Sequence, residues 1–274
     1  MDRGVSPQED DAPASPFVSE ILRLMPEEGR RLWLDSRYRH VVLGDIVAAV
    51  TYPGREDRLE EAITIVDRAI EVGLAHLGIP RGAINPPIRV EPRAVGRNAV
   101  KYEDCRLVLS SSYLRMLPRY YSSLEPAFRT WLHESIHARQ PYDGSWRSEF
   151  EPWEGYEEGL ADGMADVLCN WAGAIIPETT DYVTYVQGYR TLAAALQMSI
   201  WALLRRLWYF PTGQVRAGLL TVVDERYHEL TGRSLTAETA VWFGRVADAL
   251  FATGRTELDG SDREVEAQWR EVLE

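Results

Sequence analysis

Residues Trp131 to Pro141 read WLHESIHARQP: two histidines four positions apart, a glutamate directly after the first, and a proline that ends the segment. In an α-helix, residues four apart lie one above the other on the same face. A helix here therefore stacks His133 and His137 and turns Glu134 about 100° round from them. Phe128, Leu132 and Ile136 make the opposite stripe, which calls for an apolar core behind the helix. A second four-residue pair follows in WEGYEEGLADGMADVL, Trp153 to Leu168, where Glu158 and Asp162 share one helical face. Gly159, Ala161 and Gly163 keep that helix slim, and the expectation is that they let it approach the histidine helix closely. The chain has to bring these two helices face to face.

HExxH on a helix is a pattern with a mechanism. His133 and His137 can offer two imidazoles to one zinc ion without distorting the backbone, and Glu134 can reach a water at the metal without ligating it. Zinc lowers the pKa of such a water and the glutamate accepts its proton. Glu158 is the candidate third ligand, giving a His-His-Glu set for one Zn2+ per chain. Asp162, one turn on, can accept the other ring N–H of a ligating histidine and so hold its tautomer. The competing reading of this second helix is a solvated acidic face, since Glu154, Glu157 and Asp166 lie on it too.

HESIH followed by EGLAD resembles the gluzincin metallopeptidases, the thermolysin-like clan whose pattern is HExxH, a gap, then ExxxD. The interval between His137 and Glu158 falls in that clan's range. The resemblance covers the strands through the second helix and points to the clan, not to a particular family within it. It implies a zincin-like α+β fold: a small sheet before the active-site helix, an edge strand that binds substrate in extended form, and a helical part carrying the third ligand. It also implies His133, His137 and Glu158 as zinc ligands, Glu134 as general base and Asp162 as the orienter of His133. Gluzincins add a tyrosine or histidine that stabilises the oxyanion. No local motif places it here, and Tyr156, Tyr182, Tyr185, Tyr189 and His228 are all open, as are Arg139 and Arg147 for a supporting role. Asp143 is the rival third ligand, at the spacing metzincins use after a glycine turn; Gln140 stands at that glycine and Pro141 follows it.

The expected fold is α+β and predominantly helical. It has a disordered tail over residues 1–16, a subdomain over 17–141 with the small sheet and the HExxH helix, and a helical subdomain over 142–274. Glu56 to Gly78 reads as an amphipathic helix with Leu59, Ile63, Val66, Ile70 and Leu74 on one face. PPIRVEP, NAVKY and Cys105 to Leu109 read as three short strands, with Cys105 on the edge strand. From Asp181 onward the pattern is helical, and Leu192 to Leu204 reads as one buried helix. That run falls short of the ~20 residues a bilayer needs.

A net charge of -12 disfavours non-specific binding to nucleic acid or anionic membrane, so neither is an expected partner. Two cysteines, Cys105 and Cys169, make no disulfide framework, and with no signal-peptide pattern the expectation is a cytoplasmic protein. His40, His76 and His228 stand alone in their segments and read as surface or packing residues. The function these features imply is peptide-bond hydrolysis by a zinc metallopeptidase acting on a peptide or protein substrate. Two other classes fit parts of the pattern: a zincin-like binding module without catalysis, and a helical interaction protein whose HExxH is accidental. The intact Glu134 favours the enzyme, because a structural metal site needs no base.

Overall fold

The computed structural model describes residues 26–52, 54, 56–76, 79, 89–91, 99–101, 107–120, 123–141, 154–174, 182–252 and 267. Among these the protein is predominantly helical, with ten helices and one small sheet. The expected tail over residues 1–16 lies outside the described residues, as do Gly78, Cys105, Asp143 and Arg147.

Helix α1 (Glu27–Leu34) and helix α2 (Ser36–Thr51) are separated by Asp35 alone. Its carboxylate accepts the backbone N–H groups of Arg37 (2.9 Å) and Tyr38 (3.1 Å), which caps α2. Helix α3 (Glu56–His76) packs on both. Its stripe is the expected one, with Ile63, Val66, Ile70 and Leu74 buried and Leu59 partly so.

Strands β1 (Arg89–Glu91), β2 (Ala99–Lys101) and β3 (Leu107–Ser110) form a sheet in the order β1-β3-β2. β3 runs parallel to β1, with Val90 opposite Leu109, and antiparallel to β2, with Val100 opposite Val108. This corrects one expectation: the third strand is central, and among the described residues β1 and β2 are the outer strands. The unbroken apolar run Leu107-Val108-Leu109 suits a strand paired on both sides, and Val108 and Leu109 are buried.

Helix α4 (Ser111–Tyr120) follows β3 directly, and helix α5 (Glu125–Arg139) holds the histidine motif, with Pro126 in its first turn where no helical N–H is lost. α5 packs on β2 and β3, and Phe128, Leu132 and Ile136 are fully buried, as expected. Helix α6 (Glu154–Trp171) packs on α5. Helices α7 (Val183–Ala195), α8 (Ile200–Leu207), α9 (Val215–Thr231) and α10 (Ala237–Leu250) complete the second half. Apolar side chains from both halves join in one buried core.

Two further expectations need correction. Leu192 to Leu204 is not one helix: α7 and α8 share the run. Gln197 takes a left-handed conformation (φ 51°) and the Ser199 hydroxyl accepts the Ala202 N–H (3.2 Å), starting α8 afresh. The small residues of α6 also serve a different neighbour. A Cβ on Gly159 would come within 2.7 Å of Tyr185 Cβ, and one on Gly163 within 3.0 Å of Leu204 Cδ1. The glycines therefore admit α7 and α8, while Glu158 and Asp162, about 100° round the helix from them, face α5.

Arg39 joins the ends of three helices. Fully buried, it donates from Nε to both carboxylate oxygens of Glu125 (3.3 and 3.1 Å) at the start of α5. Its other nitrogens donate to the carbonyls of Leu32 (2.9 Å) and Trp33 (2.8 Å) in α1, and to that of Ala172 (3.1 Å) just past α6. Removing one partner of a buried ion pair strands the other charge, which costs about 3–5 kcal/mol. Arg39→Met is expected to lower the unfolding free energy by that amount in urea titrations.

Candidate metal centre

α5 and α6 lie antiparallel, and their polar pairs step in register. Arg129 meets Asp166 (2.8 Å), His133 meets Asp162 (3.1 Å) and His137 meets Glu158 (3.4 Å). Each step is four residues forward on α5 and four back on α6, one helical turn on each. The expected candidates thus come together through a ladder of facing side chains.

At its centre the Glu158 carboxylate lies between the two imidazoles, with Oε2 at 3.1 Å from His133 Nε2 and 3.4 Å from His137 Nε2. The donor atoms of all three side chains fall within 4.8 Å of one another. With bonds of about 2.0–2.2 Å, adjacent donors on a tetrahedral zinc stand about 3.3–3.6 Å apart. The 3.4 Å separation falls in that range and the 3.1 Å one just under it, so small side-chain shifts suffice to seat an ion, and two imidazoles with one carboxylate are a zinc-type donor set. The two rings meet edge to face, with centroids 4.8 Å apart and planes at 76°. Both histidines are buried, while Glu134, next on the helix, is only partly so.

Asp162 accepts from His133 Nδ1 at 3.1 Å and is itself buried. A ring whose Nδ1–H is held this way presents Nε2 toward Glu158. Burial works against charge on His133, yet hydrogen bonds to Asp162 and Glu158 override it and push the ring up to about 10 in the metal-free protein. Burial likewise opposes ionisation of Glu158, but the two histidines hold its carboxyl far below the usual range. Burial opposes ionisation of Asp162 as well; His133 and Arg129 bring it below its ordinary value.

The list of oxyanion candidates narrows. The Tyr156 hydroxyl donates to Asp248 (2.9 Å), and the Tyr189 hydroxyl donates to the Tyr156 carbonyl (2.8 Å), so both are committed elsewhere. Tyr185 is buried and stacks on Tyr182 at 6.1 Å. Tyr182 meets the centre. Its ring lies over His133 at 5.7 Å with planes 10° apart. Burial, followed by the nearby charges of Glu158, Glu154 and Glu134, pushes its phenol well above the ordinary value. His228 sits in the last turn of α9, and His40 is exposed on α2. Arg139 is buried and donates to the Ser135 carbonyl (3.0 Å) within its own helix.

Glu157 and Arg129 are the residues that sequence reasoning missed. Glu157, grouped with a solvated acidic face, is fully buried. It accepts the Gly213 N–H (2.7 Å), the Val215 N–H (3.4 Å) and Gln140 Nε2 (3.1 Å). Gly213 has φ +90°, which an L side chain rarely adopts, so a glycine is needed to aim that N–H. Gln140 also donates to the Phe210 carbonyl (3.3 Å). The end of α5, the start of α6 and the start of α9 are therefore tied through one carboxylate, which burial raises to about 7. Arg129 pairs with two carboxylates of α6, and the signal for it was its place one turn before His133 on the ligand face.

Comparison with protein-family models, with curated proteins and with solved structures gives no match. Glu157→Ala leaves buried donors unpaired, at a cost of about 1–3 kcal/mol for each group stranded. The variant is expected to melt measurably lower than the parent by calorimetry; an unchanged melting temperature contradicts the tie.

Proposed function

We propose that the protein is a zinc-dependent peptidase of the gluzincin kind. The observation that carries this reading is the convergence of His133, His137 and Glu158 on one point, with Glu134 beside them and Asp162 behind His133. Three protein donors of these types are the set that catalytic zinc sites use. When bound there, zinc supplies the Lewis acidity that lowers the pKa of a water and polarises a carbonyl.

The chain's own groups do the rest. Glu134, partly exposed on the helix face next to the ligands, accepts the proton of the attacking water on its carboxylate. It then delivers that proton to the nitrogen of the leaving amine, so one group acts as base and acid in turn. Tyr182, whose ring lies on His133, is the donor best placed to hydrogen-bond the developing oxyanion, and its raised pKa keeps the proton on it. Asp162 keeps the His133 proton on Nδ1 so that Nε2 is free to ligate. β2 packs on α5 and, an outer strand among the described residues, can pair with an extended substrate backbone.

The test is zinc content and peptide hydrolysis measured side by side on purified variants. The parent is expected to hold about one zinc per chain and to cleave members of a quenched-fluorescence peptide library. Glu158→Ala loses most of its zinc. Glu134→Gln keeps zinc and loses about 10²–10⁴-fold in kcat. Tyr182→Phe keeps zinc and loses about 10²–10³-fold in kcat with little change in KM. A parent that takes up no zinc after metal addition overturns the reading.

A further inference from the structure

We propose that Arg129 is a positioning residue of this centre, acting on the metal through Asp162 and His133; the inference rests on the zinc reading above. Arg129 stands one turn before His133 on α5, and its guanidinium forks across two carboxylates one turn apart on α6. Nη2 donates to Asp162 Oδ2 at 2.5 Å and Nε donates to Asp166 Oδ1 at 2.8 Å. The Asp162 side chain is 1% exposed, so water has little part in holding it.

Both oxygens of Asp162 are thereby assigned. Oδ1 accepts from His133 Nδ1 at 3.1 Å and Oδ2 accepts from Arg129. A buried carboxylate with a single anchor can turn about its Cβ–Cγ bond and exchange its oxygens. A second anchor on the far oxygen fixes its plane. The direction of the His133 ring then follows, because the partner of one ring nitrogen sets where the other points. Arg129 also separates two carboxylates of like charge on one face of α6, which otherwise repel.

The arrangement is specific to arginine. A planar guanidinium offers Nε and Nη2 side by side and can hold two acceptors at a fixed spacing, whereas a lysine ammonium is a single point charge on a flexible stem. Arg129 is also mostly buried, and its position between α5 and α6 is shared with the ligands themselves. Its hydrogen bonds run to Asp162 and Asp166. Its influence passes entirely through Asp162.

A double-mutant cycle on zinc affinity tests this. Dissociation constants from chelator competition are compared for the parent, Arg129→Lys, Asp162→Ala and the double variant, with folding of each checked by circular dichroism. Arg129→Lys is expected to weaken zinc binding by about 10-fold or more, and to add nothing once Asp162 is replaced. In the zinc-loaded parent the His133 Nδ1–H proton gives a sharp, exchange-protected resonance, which broadens in Arg129→Lys. Should Arg129→Lys not fold, Asp166→Asn releases one arm of the fork and is expected to weaken zinc in the same Asp162-dependent way. Unchanged affinity in the single variants overturns the inference, as does an equal loss with and without Asp162. A parent that binds no zinc overturns the centre itself, and this inference with it.

Discussion

The register between α5 and α6 is the constraint on which the rest depends. Burying a charge costs several kcal/mol unless a partner and hydrogen bonds compensate. In this interface the two central carboxylates of α6 have their compensation on α5. Asp162 has His133 and Arg129, and Glu158 has both histidines. Rotating either helix by one residue, about 100°, would break all these pairs together. The polar interface therefore admits one alignment, and that alignment is the one that gathers three metal-type donors.

The surrounding fold clamps the ladder at both ends. At one end Arg39 holds Glu125, at the start of α5, together with the carbonyl of Ala172 just past α6. At the other, Gln140 at the end of α5 donates to Glu157 near the start of α6. Behind α5 lie the sheet and the apolar stripe of Phe128, Leu132 and Ile136. Behind α6, the glycines admit α7 and α8 at close range, and that approach is what brings Tyr182, at the head of α7, over His133. A wider α6 would hold α7 off, so the small residues shape the centre from outside rather than within the α5–α6 contact.

Much of this was legible in local spacing. A four-residue repeat on a helix places His133 over His137 and Glu158 over Asp162 whatever the tertiary fold, and periodicity likewise marked α3 and the buried face of α5. What was hidden depends on which neighbour a face meets. Gly159 and Gly163 announce a close approach but not the partner. Glu157 and Glu158 are adjacent carboxylates with opposite destinations, one buried among backbone donors and the other between histidines, and composition treats them alike. The break inside Leu192 to Leu204 turns on one left-handed glutamine and one serine cap, the two polar residues that interrupt an otherwise apolar run. The central place of β3 is a matter of pairing order, which a strand's own residues do not state. Tyr182 was one of five open choices, and its stacking on His133 depends on where α7 begins, which local sequence does not state.

The most direct measurement of the central claim is zinc K-edge X-ray absorption on the metal-loaded protein. The zinc reading predicts a first shell of about four nitrogen and oxygen neighbours near 2.0–2.1 Å. It predicts the multiple scattering of two imidazoles and no sulfur. A sulfur shell, a single imidazole, or a six-coordinate ion held by water and surface carboxylates would contradict it.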